Sequence, residues 1–321
     1  MRCLYCYKEL AEEEHDFHKA CSRKIFGKPE APELPYTEYQ MIELAKGVIK
    51  SQVAVTGVQA KLSLDIERLS PKEEIQNGHH TARFTIVGLW GSYILKPPTA
   101  HFKFLPEVES LTMHLAEIAV IQTVPHSLIR LKSSSLAYIT RRIDRVKEAK
   151  LHMEDMCQLT ERLTEDKYKG SYEQIAKAIL KYAANPGLDI INFYEQVVFS
   201  FLTGNADMHL KNFSLINRPG SGYVLAPAYD MVALALLMKE DDEDLALTLN
   251  GKKRKLNRKD FDRFMLTGPL VNAKSIESLY HKFVIAIPKW LKFIEISFIP
   301  GEMKDNYCQI IMERAKRIGI I

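Results

Sequence analysis

Apolar side chains change their spacing twice along this chain. Between residues 53 and 96 they alternate or fall in short β-branched runs: Val53 and Val55, then Leu62 and Leu64 beyond a single Gly57, then Phe84 and Ile86 with Leu89, then Tyr93, Ile94 and Leu95. Such runs predict strands. Asn77-Gly78 predicts a turn between two of them, and Pro97-Pro98 ends the last. Val108, Leu111, Leu115 and Ile118 then recur at helical spacing. Residues 126–143 return to strand character through Leu128, Ile129, Leu131, Ala137, Tyr138 and Ile139. From about residue 153 the period is helical. Ile175, Ile179 and Tyr182 share a face, and Asp189 is placed to cap a helix striped by Ile190, Phe193, Val197 and Phe201. Residues 255–318 also read as mostly helical. A β-rich part with one helix followed by a helical part is an α+β arrangement.

Composition narrows the class. The chain has 321 residues, 46% hydrophobic and 26% charged, which excludes a disordered or low-complexity protein and leaves room for about two cores. A net charge of +4 (44 basic against 40 acidic residues) is too weak to announce nucleic-acid binding. The apolar run at residues 231–238 is far short of the ~18 needed to span a bilayer. The first ten residues hold no apolar signal region, so a cytoplasmic location is expected. The acidic run at 240–244 and the basic run at 252–255 predict solvated loops. Cys157, Cys308 and Trp290 are expected in the core.

The other three cysteines lie within the first 21 residues. Cys3-x2-Cys6 and His18-x2-Cys21 are two pairs with the separation that a closed tetrahedral Zn2+ site uses. His15 is a competing ligand with a less regular spacing. The segment between the pairs is too short for a core of its own, which favours a structural zinc knuckle. Pro29, Pro32 and Pro35 then mark an extended linker across residues 26–36.

The densest chemistry sits at residues 204–212, Gly-Asn-Ala-Asp-Met-His-Leu-Lys-Asn. Asp207 and Asn212 are five apart, and Asp230 follows. This is the spacing of a kinase catalytic loop and its metal-binding acid: one carboxylate receives the proton of an attacking hydroxyl, while an amide oxygen and a second carboxylate hold Mg2+. The partners expected upstream occur in order. Residues 56–61, Thr-Gly-Val-Gln-Ala-Lys, form a loop between strands. Lys96 ends an apolar strand, and the next helix offers Glu107 and Glu109. These two acids cannot share a helix face, so one at most meets Lys96. No G-x-x-x-x-G-K-[ST] loop is present.

With Tyr-Ile-Leu-Lys-Pro-Pro at 93–98, Leu-Pro-Glu-Val-Glu at 105–109, Arg-Ile-Asp-Arg at 142–145, His-Met-Glu-Asp-Met-Cys-Gln at 152–158 and Lys167-Tyr168, the chain resembles the HipA-type serine/threonine kinases, the toxins of bacterial toxin–antitoxin pairs. The resemblance covers roughly residues 53–250. It implies a bilobal protein-kinase-like fold with a β-rich N-lobe (29–148) and a helical C-lobe (149–321), here preceded by the knuckle (1–28). It implies ATP and Mg2+, a protein substrate such as an aminoacyl-tRNA synthetase, and a helix-turn-helix antitoxin through which alone DNA would be met; no membrane is involved. By position, Asp207 matches the catalytic base, with His209 and Lys211 inside the motif. Lys211 is placed to steady phosphate charge and His209 to brace the loop. Asn212 and Asp230 match the metal ligands and Lys96 the nucleotide-contacting lysine; Glu109 is a candidate on the nucleotide side, with Glu107 or Glu109 open as the partner of Lys96. Thr56, Gly57, Val58, Gln59 and Lys61 match the phosphate loop; Arg141 and Ile143 lie at the adenine hinge.

Two departures stand out. Only 52 residues precede the loop, whereas full-length members carry an N-terminal subdomain of about a hundred residues, so a separate small subunit is expected to replace it. The serine that often becomes autophosphorylated is Ala54 here, which leaves Thr56 as the candidate. On residues alone, a small-molecule phosphotransferase and a nucleotide-binding pseudokinase that acts by docking remain open.

Overall fold

The computed structural model describes residues 1–41, 43–44, 61–69, 82–87, 91–146, 149–238, 242–268 and 270–321. The strand predicted before Gly57, the Asn77-Gly78 turn, Leu89, and loop residues Thr56 to Gln59 lie outside them. The contacts divide the chain into two units, residues 1–110 with 124–143, and residues 111–123 with 144–321. The change of spacing predicts limits at 28/29 and 148/149; by contacts, residues 1–28 belong to the unit that holds the sheet.

In the first unit, helix α1 (Lys19–Phe26) ends on Gly27 in the left-handed region. Strands β1 (Leu62–Arg68), β2 (Ala82–Ile86), β3 (Tyr93–Lys96), β4 (His126–Arg130) and β5 (Leu136–Arg141) make one antiparallel sheet in the order β2-β1-β3-β5-β4. The interior strand β5 is buried over four consecutive residues, so its sequence reads as an apolar run rather than as an alternation. The proline-spaced segment, predicted as an extended linker over 26–36, bends over residues 27–30 and lies within this unit. It runs beside β2, where Glu33 N–H donates to Ala82 C=O (2.9 Å) and Phe84 N–H to Glu33 C=O (2.8 Å). Helix α2 (Leu105–Ile118) buries Val108, Leu111 and Leu115.

The second unit contains a ribbon, β6 (Arg145–Val146) with β7 (Ala149–Lys150), and a sheet in the order β10-β9-β8. Its strands are β8 (Met153–Asp155), β9 (Ser214–Arg218) and β10 (Gly222–Leu225). Helical spacing alone from residue 153 misses this sheet. Strand β8 is three residues long and shows no alternation, and the β9–β10 hairpin turns within the Pro-Gly-Ser-Gly stretch. The helices are α3 (Met156–Leu159), α4 (Tyr172–Tyr182), α5 (Pro186–Thr203), α6 (Leu234–Leu237), α7 (Arg258–Leu266), α8 (Ala273–Glu295) and α9 (Gly301–Arg317). Among the described residues, no helix is long and apolar enough to cross a membrane.

The predicted stripe Ile190, Phe193, Val197 and Phe201 is fully buried. Its cap is not Asp189. Helix α5 starts at Pro186 after Asn185, because proline suits the first helical position, where no N–H bond is lost. Asp189 falls inside the first turn, where burial pushes its carboxyl up. Trp290 is buried and donates from Nε1 to Leu115 C=O (2.8 Å), and Cys157 is buried, but Cys308 is only half-buried on α9.

The two charged runs are not independent solvated loops. Lys253 meets Glu243 (3.3 Å) and Arg254 meets Asp242 (2.9 Å). Asp244 is 4% exposed and accepts from Leu256 N–H (3.0 Å) and from the Arg317 guanidinium (2.6 Å). Removing that carboxylate leaves the buried Leu256 amide without its acceptor, while the Arg317 guanidinium, about a third exposed, can turn to water. Asp244→Ala is therefore expected to lower the unfolding free energy by about 1–2 kcal/mol, read as a drop in the urea midpoint at unchanged slope.

Candidate active site and metal centre

Helix α5 delivers the chain to the candidate loop through Gly204, which takes the left-handed region (φ +72). A Cβ there would also meet the Ala235 Cβ at 2.8 Å, so the turn admits only glycine. The loop then folds on itself. Asp207 C=O accepts from His209 N–H (2.7 Å) and from the Asn212 side-chain amide (2.9 Å). That donation uses Nδ2 and leaves Oδ1 of Asn212 as the acceptor. Asn212 ends a 3-10 turn over Leu210–Asn212, and Phe213 beyond it packs edge-on against Phe193 and Tyr172.

Neighbouring segments pin this loop. Tyr172 donates to Met208 C=O (3.0 Å), and Leu210 N–H to Lys167 C=O (3.1 Å). Tyr168, half-exposed, donates its hydroxyl to Asp207 Oδ1 (2.5 Å) and meets the His209 ring edge-on at 4.9 Å. Burial and the Asp207 charge push its phenol up, which keeps it a donor. Lys211 donates to Asp155 Oδ2 (2.6 Å), so its charge is engaged inside the protein. Asp155 also caps α3 in a capping box with Gln158, the helix-terminal role its position predicts.

The later acid is tied to the same loop. Tyr229, adjacent to Asp230, donates to Lys211 C=O (2.9 Å), adjacent to Asn212. Asp230 itself has φ +56, a left-handed conformation that costs free energy in a residue other than glycine and marks a constrained turn. The charges of Asp207 and Asp230 both act on His209. The Tyr229 bond and the charge felt at His209 place the Asp230 segment beside the loop that carries Asp207, His209, Lys211 and Asn212. An amide oxygen with carboxylates is a hard-oxygen donor set that suits Mg2+.

In the first unit, Lys96 and Glu109 are 4% and 1% exposed and form a buried ion pair. Of the two acids on α2, Glu109 is the partner. Burial lifts the Glu107 carboxyl to about 7. Lys96 also lies 5.4 Å from the Tyr138 ring centroid. At the end of β5, where the resemblance places a hinge, Arg141 N–H donates to Pro125 C=O and Arg142 N–H to Ser92 C=O (2.9 and 2.8 Å). Lys61 is exposed just before β1.

The candidate metal centre closes on His18 rather than His15. The ligand atoms of Cys3, Cys6, His18 and Cys21 lie within 4.8 Å of one another. His18 Nδ1 is 3.4 Å from Cys6 Sγ and 3.7 Å from Cys21 Sγ, while Nε2 bonds Glu9 C=O (3.0 Å), an arrangement that turns Nδ1 toward the sulfurs. Burial and the Cys3 charge push Cys21 up to about 12. Backbone N–H groups of Cys6, His18 and Tyr5 overcome the burial of Cys3 and hold its thiol below the usual value. Three thiols and an imidazole so placed fit Zn2+.

Tyr168 and Tyr229 are the site residues that spacing does not identify. Tyr168 is 39 positions from Asp207, and only its place in the Lys167-Tyr168 motif marks it.

A curled antiparallel sheet joined to helices, a buried strand lysine on a helix glutamate, and a loop ordered Asp, Asn, Asp define a kinase-like protein. The chain belongs to the HipA-like C-terminal domain family, which matches residues 53–291. It is 32% identical over 218 residues to a Haemophilus influenzae protein provisionally named a kinase, covering 64% of this chain and 59% of that protein. A Sinorhizobium fredii protein named likewise is 29% identical over 234 residues, 68% of this chain and 54% of the relative. The chain therefore spans somewhat over half the length of these relatives. Among solved structures, the Shewanella oneidensis toxin–antitoxin assembly of HipA, HipB and operator DNA has TM-score 0.64 at 18% identity, over 90% of this chain and 72% of its match. The Helicobacter pylori kinase CtkA has TM-score 0.52 at 19% identity, over 70% and 87%. These structural likenesses establish the fold.

Burial pushes the His209 imidazole down to about 4, against the pull of Asp207. An unfolded histidine takes up its proton near 6.5. Between those values the unfolded chain binds a proton that the folded one refuses, so this contribution to stability is whole above 6.5 and is lost as pH falls toward 4. His209→Gln is expected to flatten that acid-side loss in urea titrations.

Proposed function

We propose that this chain is an ATP- and Mg2+-dependent protein serine/threonine kinase and the toxin of a HipA-type toxin–antitoxin module. The observation that carries the reading is the loop in which Asn212 and Tyr168 fix Asp207 from its main-chain and side-chain ends. Asp207 takes the proton of the acceptor hydroxyl through the carboxylate oxygen that Tyr168 does not hold. Lys96, oriented by Glu109, contacts the nucleotide phosphates. Asn212 Oδ1 and the Asp230 carboxylate would hold Mg2+, which when bound neutralises the charge of the transferring phosphoryl group. His209 stays neutral and braces the loop. Lys211, held by Asp155, positions it. Residues 56–61 cover the phosphates, with Thr56 as the candidate self-modification site, and the backbone of residues 141–143 meets the adenine. The four-residue cysteine and histidine cluster takes a structural Zn2+.

Family membership supports this reading, as do the kinase names of the relatives and the antitoxin-bound neighbour. The partners proposed are a helix-turn-helix antitoxin, which brings the chain to operator DNA, a small subunit, and a protein acceptor of the aminoacyl-tRNA synthetase class.

With γ-labelled ATP and cell lysate, the wild type is expected to label protein, and Asp207→Asn to lower the rate by about 10²–10⁴-fold. Equal labelling by the two would remove Asp207 as the base, and label confined to metabolites would replace the protein acceptor by a small molecule. Tyr168→Phe is expected to lower kcat about tenfold at unchanged KM for ATP, the loss of roughly one charge-assisted hydrogen bond.

A further inference from the structure

The first 26 residues bury Cys3, Leu4, Tyr7, Ile25 and Phe26, yet they are too few to build a core among themselves. Two of their outward bonds, from Tyr93 and to Ser110, join the elements that carry the candidate nucleotide pair, and the others end on β4. Tyr93, on the strand of Lys96, donates its hydroxyl to Ile25 C=O (3.1 Å). Its ring lies 6.2 Å from Phe26, which also meets Phe84 edge-on at 5.7 Å. Tyr7 donates to the hydroxyl of Ser110, the residue after Glu109 (3.0 Å). Leu4 C=O accepts from Leu128 N–H and the Ser127 hydroxyl on β4, and Asp16 receives the Arg130 guanidinium at 2.8–3.1 Å.

Two of these anchoring residues are strained. Tyr7 and Asp16 have φ +62 and +58, conformations that cost about 1–3 kcal/mol each and persist only where the surroundings enforce them. Tyr7 directly follows Cys6, and Asp16 lies two residues before His18. The four-ligand cluster stands beside both turns, whose other supports are the buried Tyr7 ring and the bonds of Asp16 to Leu4 N–H (2.7 Å) and Arg130.

We infer that zinc at Cys3, Cys6, His18 and Cys21 acts as a strut for nucleotide binding: by locking the turns at Tyr7 and Asp16 it fixes β3 and the start of α2, and so the register of Lys96 against Glu109. The inference rests on Lys96 contacting the nucleotide. It assigns the knuckle a task within its own unit, and the catalytic loop does not depend on it.

The test uses the full chain, with metal content by mass spectrometry and affinity for the non-hydrolysable analogue AMPPNP by calorimetry. One zinc per wild-type chain is expected, and cobalt exchanged into the site should give the absorption bands of a tetrahedral centre with three thiolates and one imidazole. Cys6→Ser should lose the metal and weaken AMPPNP binding at least about tenfold. The double variant Tyr7→Phe, Asp16→Asn should keep the metal and still weaken AMPPNP. Should Cys6→Ser fail to fold, chelation of the wild type followed by zinc return should lower and then restore affinity. A wild type that holds neither zinc nor cobalt overturns the inference, as does a metal-free chain that binds AMPPNP with wild-type affinity. Lys96→Ala separates the two levels: if it leaves AMPPNP affinity unchanged, the role of Lys96 fails along with the strut. If it weakens binding while metal removal does not, the strut alone fails.

Discussion

One carbonyl organises the candidate catalytic loop. The main-chain oxygen of Asp207 accepts both the His209 N–H and the Asn212 side-chain amide, so the residue that ends the loop is fastened to the residue that begins its chemistry. The rest follows from that closure. The Asp207 carboxylate is presented to Tyr168, His209 is folded inward and kept neutral by burial, and Phe213 is delivered into the aromatic core with Phe193 and Tyr172. The loop's own closure and the bonds from Tyr172, Tyr168 and the Lys167 carbonyl together hold Asp207, His209, Lys211 and Asn212 in order.

Around this closure the fold commits buried charges in pairs. Lys96 with Glu109 is withdrawn from water in one unit; in the other, the more buried carboxylates of Asp155 and Asp244 meet Lys211 and Arg317, which stay about a third exposed. Such pairs add little net stability over apolar neighbours, but losing either member is expensive. They fix geometry more than they add strength. The pairs at Lys96 and Lys211 lie beside residues of the candidate chemistry. The pair at Asp244 lies with the C-terminal helix.

Much of this was readable from the residues. The strands around Phe84, Tyr93 and Tyr138 and the helix through Val108 follow from apolar spacing, and the order Lys96, Asp207, Asn212, Asp230 brought the family into view before any geometry. What spacing could not supply depends on the third dimension. Asp189 looks like a cap because aspartate favours caps, but Pro186 starts the helix one turn earlier. The acidic and basic runs look solvated because each is polar in sequence, yet they meet across a tight turn and neutralise each other. Glu107 and Glu109 differ by two positions on one helix, and only the placement of β3 decides between them. The Lys167-Tyr168 motif marks Tyr168 but not its task, because its bond to Asp207 joins segments 39 residues apart.

The end of the chain has a part in this as well. Arg314 on α9 donates to Phe201 C=O (2.7 Å), in the last turn of α5 and three residues ahead of Gly204, and its guanidinium lies 5.3 Å from the Phe201 ring. Arg317 stacks on the same ring from 4.7 Å. Ile310 also presses on the space beside Gly204. The last helix is therefore a buttress behind the reactive loop and not a trailing appendage. Deleting α9 would therefore loosen the mount of the candidate loop without touching a residue of the loop itself.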